Sequence, residues 1–141
     1  MYSQKTVVMA DDDADDCFMA TEAFREAGIV AAFACVADGI ELLDHLWEGS
    51  RSETGLPDLI LLDLNMPGRN GTDTLVEIRS NAAFKHIPVV ILTTSSKGEV
   101  NCNVISMADA FITKPSSFDD WIEIMKSLAE RWLDNATMSK L

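Results

Sequence analysis

At 141 residues the chain suits a single domain, one that buries roughly 70% of the surface its unfolded form exposes. Acidic residues outnumber basic ones 23 to 11, and the net charge of −12 with a pI near 4.3 makes a surface that repels nucleic acid and anionic membrane. No apolar run approaches the ~20 residues of a membrane span and the start lacks a signal-peptide pattern, so a cytoplasmic protein is expected.

Thr6 to Met9 is β-branched and apolar, a first strand that stops at Asp11-Asp12-Asp13. Asp15 or Asp16 can cap the helix that follows, where Cys17, Ala20, Phe24 and Ala27 recur at helical spacing and Gly28 ends the run. Ala32 to Val36 reads as the second strand. Asp38-Gly39 turns into a helix with Ile40, Leu43 and Trp47 on one side and Leu46 beside them. Glu48 to Pro57 is a polar loop, longer than the usual connection. Leu59-Ile60-Leu61-Leu62 is an unbroken apolar run, the pattern of a strand buried on both faces. It ends at Asp63, and Met66-Pro67-Gly68 with Asn70-Gly71 then turns the chain.

Thr72 to Arg79 predicts a helix with Leu75, Val76 and Ile78 inward. Pro88 precedes the fourth strand, Val89 to Leu92, which ends at Thr93-Thr94-Ser95-Ser96. A helix within Glu99 to Met107 is weakly encoded, because Gly98, Asn101, Asn103 and Ser106 are poor helix formers. Ala110 to Thr113 is the fifth strand and ends at Lys114-Pro115. Phe118, Trp121, Ile122, Met125, Leu128, Ala129 and Trp132 form the clearest apolar stripe, the last helix. Residues 1–133 make one unit and 134–141 a short tail.

Strand and helix alternating five times imply an α/β fold, a single doubly wound, five-stranded parallel sheet with helices on both faces. In such a sheet the carboxyl ends of the strands share one rim, where ligands bind. That rim gathers Asp11 and Asp12, Asp63, Thr93 and Thr94, and Lys114. Three carboxylates at ~4 Å spacing repel by roughly 4 kcal/mol per pair at an effective dielectric near 20, so they must take up protons or bind a cation. Oxygen donors without His or Cys favour Mg²⁺. Asp63 could then attack phosphorus as a carboxylate nucleophile, with Lys114 and the Thr93 hydroxyl on the phosphoryl oxygens.

Other residues carry blander readings. Cys17, Cys35 and Cys102 are odd in number and widely spaced, as expected of buried, reduced thiols rather than of a disulfide framework or metal site. Asp11, Asp13, Asp15 and Glu22 imitate a calcium loop, but Asp16 stands where that loop needs Gly. His45 and His86 read as surface residues.

At these positions the chain resembles the response-regulator receiver family of two-component signalling. The signatures are Asp11-Asp12, Asp63 within LLDLNMPGRNG, Thr93-Thr94, Phe111 and Lys114-Pro115, spread over about Lys5 to Leu133. The resemblance implies a flavodoxin-like sheet in the order 2-1-3-4-5 with Asp63 as phosphoacceptor. Asp12 would ligate Mg²⁺ directly, Asp11 largely through water, and the backbone carbonyl of Asn65 would join Asp63 as ligand. Thr93 and Lys114 would read the phosphoryl group. Thr93, Thr94 and Phe111 would form the switch, and the Lys114-Pro115 bond should be cis. PGRNG, HIPVVILTTSS and FITKPSSFDDW look like single-domain receivers paired with phytochrome-type sensor kinases.

The implied function is a stand-alone phosphorylation switch. It would take phosphate from a sensor histidine kinase, then act on a downstream protein or phosphotransfer domain, with no direct nucleic acid or membrane contact. Trp132 and Leu133 suggest a homodimer through the face of helix four, strand five and helix five. The rival reading is an aspartate-dependent phosphatase, but that chemistry resembles a family with a second Asp two residues on, where this chain has Asn65. Two departures from the receiver pattern fall together. Met107-Ala108 replaces the usual Gly-Ala, and the interval from Thr93 to Phe111 is about one residue short. A soft helix four is the expectation.

Overall fold

The computed structural model describes residues 4–53, 55–65, 71–94, 100 and 102–133. Five strands are hydrogen-bonded in the order β2-β1-β3-β4-β5. They are β1 (Lys5–Ala10), β2 (Ala31–Val36), β3 (Leu59–Leu62), β4 (Val89–Thr93) and β5 (Ala110–Thr113), and every pairing is parallel. The helices α1 (Ala14–Glu26), α2 (Gly39–Ser50), α3 (Gly71–Ser80), α4 (Cys102–Met107) and α5 (Phe118–Trp132) alternate with them. The expected doubly wound sheet is therefore present in the expected order.

Strand alternation divides the core into two layers. Val7, Met9, Leu59, Leu61, Val90 and Leu92 pack with Ala20 and Phe24 of α1 and with Trp121, Met125 and Leu128 of α5. Their neighbours Val8, Ala10, Ile60, Leu62, Val89 and Ile91 pack with Leu42, Leu46, Leu75, Ile78 and Val104 from α2, α3 and α4. A strand covered on both faces needs apolar residues at successive positions, which is why β3 reads as a run rather than an alternation.

Local signals fix several helix ends. Asp13, neither Asp15 nor Asp16, caps α1, its side chain accepting from the backbone N–H groups of Asp15 and Asp16. Asp15 and Asp16 instead lie in the first turn, where negative charge suits the helix dipole. Asp38 caps α2 by accepting from Glu41 N, and the Glu41 carboxylate accepts from Ala37 N, the residue before the cap. Gly28, at φ +73°, closes the connection after α1.

Two helices are rotated from the expected faces. α2 buries Leu42, Leu43 and Leu46 and leaves Ile40 and Trp47 exposed, although the Trp47 and Phe84 rings still pack at a steep angle with centroids 4.7 Å apart. In α3 Thr74 is buried and Val76 is exposed. An apolar residue beside a stripe is easily counted into it, and packing against the sheet decides. α5 keeps its stripe, but Leu133 is fully buried in the α1–α5 layer and Trp132 lies under the Arg131 guanidinium at 4.5 Å. Leu133 is thus core and offers nothing to a dimer face. The turn at 66–70, the start of helix four at Glu99 and the tail 134–141 lie outside the described residues.

Candidate functional site

Asp11, Asp63 and Lys114 are each held by one backbone bond that continues the sheet past a strand end. Asp11 N donates to Val36 O at 3.0 Å, Asp63 N to Ala10 O at 3.0 Å and Lys114 N to Thr93 O at 2.8 Å. The ends of hydrogen-bonded strands therefore aim these side chains. The start of α3 closes against the same turn. Gly71 N donates to Leu64 O, and a Cβ on Gly71 would collide with the carbonyl of Asp63 and, at 2.7 Å, with the Cα of Leu64. Only glycine allows that approach.

The side chains converge. Asp11, Asp12 and Asp63 each place a carboxylate oxygen within 4.8 Å of the others. Lys114 Nζ, nearly buried, lies 2.6 Å from Asp11 Oδ2, 2.7 Å from Asp16 Oδ2 and 3.4 Å from Asp63 Oδ2. The approach to Asp11 Oδ2 is a charge contact and not an aligned hydrogen bond. Asp16 is the member that sequence reading missed. It sits one turn into α1, where a first-turn acid is adequately explained by the helix dipole, and only the tertiary contact with Lys114 reveals its second role.

Electrostatics set the protonation. Burial is the largest influence on Asp11 and raises its pKa from 3.8 to about 6. The close Lys114 ammonium, with the N–H of Asp13 donating to Oδ1, offsets this only in part. Burial works to lower the pKa of Lys114, but its close contacts with the Asp11 and Asp16 carboxylates and the charge of Asp63 outweigh it and hold the ammonium above its usual range. One ammonium faces three carboxylates and Asp12 adds a fourth beside them, so the nest keeps excess negative charge. Clustered oxygen donors with that excess suit a small divalent cation, and Asp11, Asp12 and Asp63 are the residues that could hold it.

The remaining candidates take distinct places. Thr93 ends β4 fully buried, its hydroxyl 3.3 Å from the Asn65 amide nitrogen, which donates to it. Asn65 N donates to Asp63 Oδ1 at 3.2 Å, tying the turn to the acid. Thr94 is exposed at the rim. Phe111, paired with Ile91 in the sheet, is half-buried in the layer that contains Val104 and Met107 of α4. The expected cis bond at Lys114-Pro115 is absent: no described peptide bond is cis. Trans is the lower-energy form of an X–Pro bond, and here it leads from the Lys114 N–H bond to Thr93 into the Ser117 cap of α5. Nor are all the thiols buried, for Cys35 and Cys102 are exposed and Cys17 is half-buried.

Residues 7–126 match the family described as the response regulator receiver domain. The chain belongs to this family. It is similar to the response regulator Rcp1 of Synechocystis, 29% identical over 136 residues that span 95% of this chain and 92% of Rcp1. Among solved structures, the phosphorylated cyanobacterial phytochrome response regulator RcpA aligns with a TM-score of 0.82 at 32% identity, over 97% of this chain and 99% of that one. The Mn²⁺-bound form of Rcp1 aligns with a TM-score of 0.77 at 29% identity, over 94% and 97%. This receiver thus resembles phytochrome response regulators, as its PGRNG and FITKPSSFDDW segments suggest. Among the described residues no helix is long and apolar enough to cross a membrane.

Proposed function

We propose that this receiver accepts a phosphoryl group on Asp63 from the phosphohistidine of a sensor histidine kinase, with Mg²⁺ at the rim. The observation that carries this reading is the meeting of Asp63 with Asp11, Asp12 and Lys114 on one edge of a rigid sheet. An Asp63 carboxylate oxygen attacks phosphorus, the P–N bond breaks, and the imidazole leaves with its electron pair. Mg²⁺, held by Asp11, Asp12, Asp63 and the backbone carbonyl of Asn65, would offset the charge of the entering phosphate. Lys114 trades part of its carboxylate shell for a phosphoryl oxygen, and the Thr93 hydroxyl donates to another. Mn²⁺ in Rcp1 supports the metal assignment.

The group should persist as a mark. Asn65 stands where an aspartyl phosphatase would need an acid, and its amide is occupied with Thr93. The mark is read through Thr93, Thr94 and Phe111. A change at the Thr93 hydroxyl alters the end of β4, and Phe111 shares its packing layer with α4. The face of α4, β5 and α5 then docks a downstream protein, a phosphotransfer domain or a second copy. Incubation with acetyl phosphate and Mg²⁺ tests the assignment: one phosphoryl group per chain is expected, absent in Asp63→Asn and absent with a chelator. Equal incorporation into Asp63→Asn would show that the acceptor lies elsewhere.

A further inference from the structure

We propose that Cys17 and Cys35 form a two-thiol redox site that closes to an intramolecular disulfide when a peroxide oxidises Cys35. The two residues are 18 apart in sequence, but the fold faces them towards each other. Cys35 pairs with Met9 in the β1–β2 register and lies two residues beyond Phe33, on the sheet face that α1 covers. Phe33 meets Phe24 of α1 at a centroid distance of 4.8 Å, and Cys17 lies two turns before Phe24 on the same helix. The contact that results is direct. Cys35 Sγ donates to the carbonyl of Cys17 at 3.9 Å, and Cys17 Sγ donates to that of Asp11 at 3.8 Å.

Their surroundings differ in a useful way. Cys35 is exposed, on the outer strand of the sheet, where a small oxidant can reach it. The neighbouring Cys17 side chain outweighs burial and holds the Cys35 thiol below its ordinary range. Cys17 is half-buried, behind Cys35, in the position of a resolving thiol. The Cys35 thiolate attacks one peroxide oxygen. The O–O bond breaks, the departing hydroxide takes up a proton, and Cys35 becomes a sulfenic acid. The sulfur of Cys17 then attacks the sulfur of Cys35, and hydroxide leaves with the Cys17 proton as water. Two thiols have given up two electrons, the peroxide has gained them, and two waters have formed. The new bond staples edge strand β2 to the first turn of α1, one residue from the Lys114 partner Asp16.

Exposed Cys102 is an internal control, because it sits on α4 in the opposite helical layer. The reduced full chain is treated with one equivalent of hydrogen peroxide, alkylated, digested and mapped by mass. A reducible Cys17–Cys35 peptide should dominate, with Cys35 lost about tenfold faster than Cys102. Cys102→Ser should leave the cross-link intact, and Cys17→Ser should leave a Cys35 sulfenic acid that dimedone traps. Should Cys17→Ser fail to fold, the wild-type and Cys102→Ser maps still decide. Equal oxidation of Cys35 and Cys102 without a 17–35 link, or links only between chains, would overturn the proposal.

Discussion

β3 is buried at all four of its residues and stands between β1 and β4, whereas β5, at the edge of the sheet, has no residue that is fully buried. The same contrast separates the helices beyond them. α5 runs 15 residues over the first core layer, and among the described residues α4 covers six over the second. Asp11 and Asp63 continue the ladders of β1 and β3, so the chemistry rests on the over-determined centre. Phe111 and α4 form the lightly held quarter. A receiver needs both properties. Captured phosphate requires fixed donors, and a readout requires an element whose arrangements differ by little.

The strongest way to test the rigid half is to remove mass from it. Leu61 is fully buried in β3 against the α1–α5 layer. Leu61→Ala should cost about 4 kcal/mol, seen as a lowered urea midpoint with unchanged m-value. A loss under about 1 kcal/mol would mean that the centre relaxes as freely as the edge, and the contrast would fail.

The next effect is electrostatic. The carboxyl of Asp11 titrates at about 6 in the fold against 3.8 for the free group, because burial disfavours its charge. Between these values the folded protein holds a proton that the unfolded chain has lost. The stability this proton adds is fully present below about pH 4 and is lost as pH rises through 6, at most about 3 kcal/mol. Without metal, Asp11→Asn should therefore be more stable than the native chain at pH 7.5 and not at pH 4. Mg²⁺ should reverse that order at pH 7.5, since it rewards the ionised carboxylate. Denaturant melts in chelator and in Mg²⁺ would measure both signs, and a pH-independent difference would remove Asp11 from the account.

What could be read in the sequence divides along the same line. The centre was legible because its signals are local and redundant: an apolar run, a carboxylate where it stops, a turn after it. Asp63, Asp11, Asp12 and Lys114 could be gathered on one rim from strand order alone, and the structure brings them together. Long-range pairs were not legible. Asp16 meets Lys114 across 98 residues, and Cys35 meets Cys17 only because α1 lies over β2. Val76 reads as inward, and Ile40 and Trp47 as sharing a stripe with Leu43, because they flank true core positions, and a difference of one helical position is settled by packing rather than by periodicity. The Lys114-Pro115 isomer followed from resemblance and not from any physical signal in this chain, and there the expectation failed.

The smallest effect concerns how α4 ends without the glycine that the family pattern supplies. Met107 stands at that position, and a non-glycine residue there cannot readily enter the left-handed turn that satisfies the last helical carbonyls. Arg79, at the end of α3, supplies the donors instead. Its Nε donates to Met107 O at 2.7 Å, and its other nitrogens reach Lys85 O, Ile87 O and Asp109 Oδ2 at 3.0, 2.8 and 2.9 Å. Asp109 Oδ2 in turn accepts from Val89 N at 2.8 Å, which connects the cap to the start of β4. Arg79→Ala would leave these acceptors to water at a half-covered site, for about 2 kcal/mol. Lysine should not restore the cap, because a single ammonium cannot reproduce the planar fork. The loss should be local, with amide exchange accelerated in Cys102 to Met107 and unchanged in β1 and β3. Uniform acceleration across the sheet would instead make this corner part of the rigid framework, and α4 could no longer serve as the element that responds.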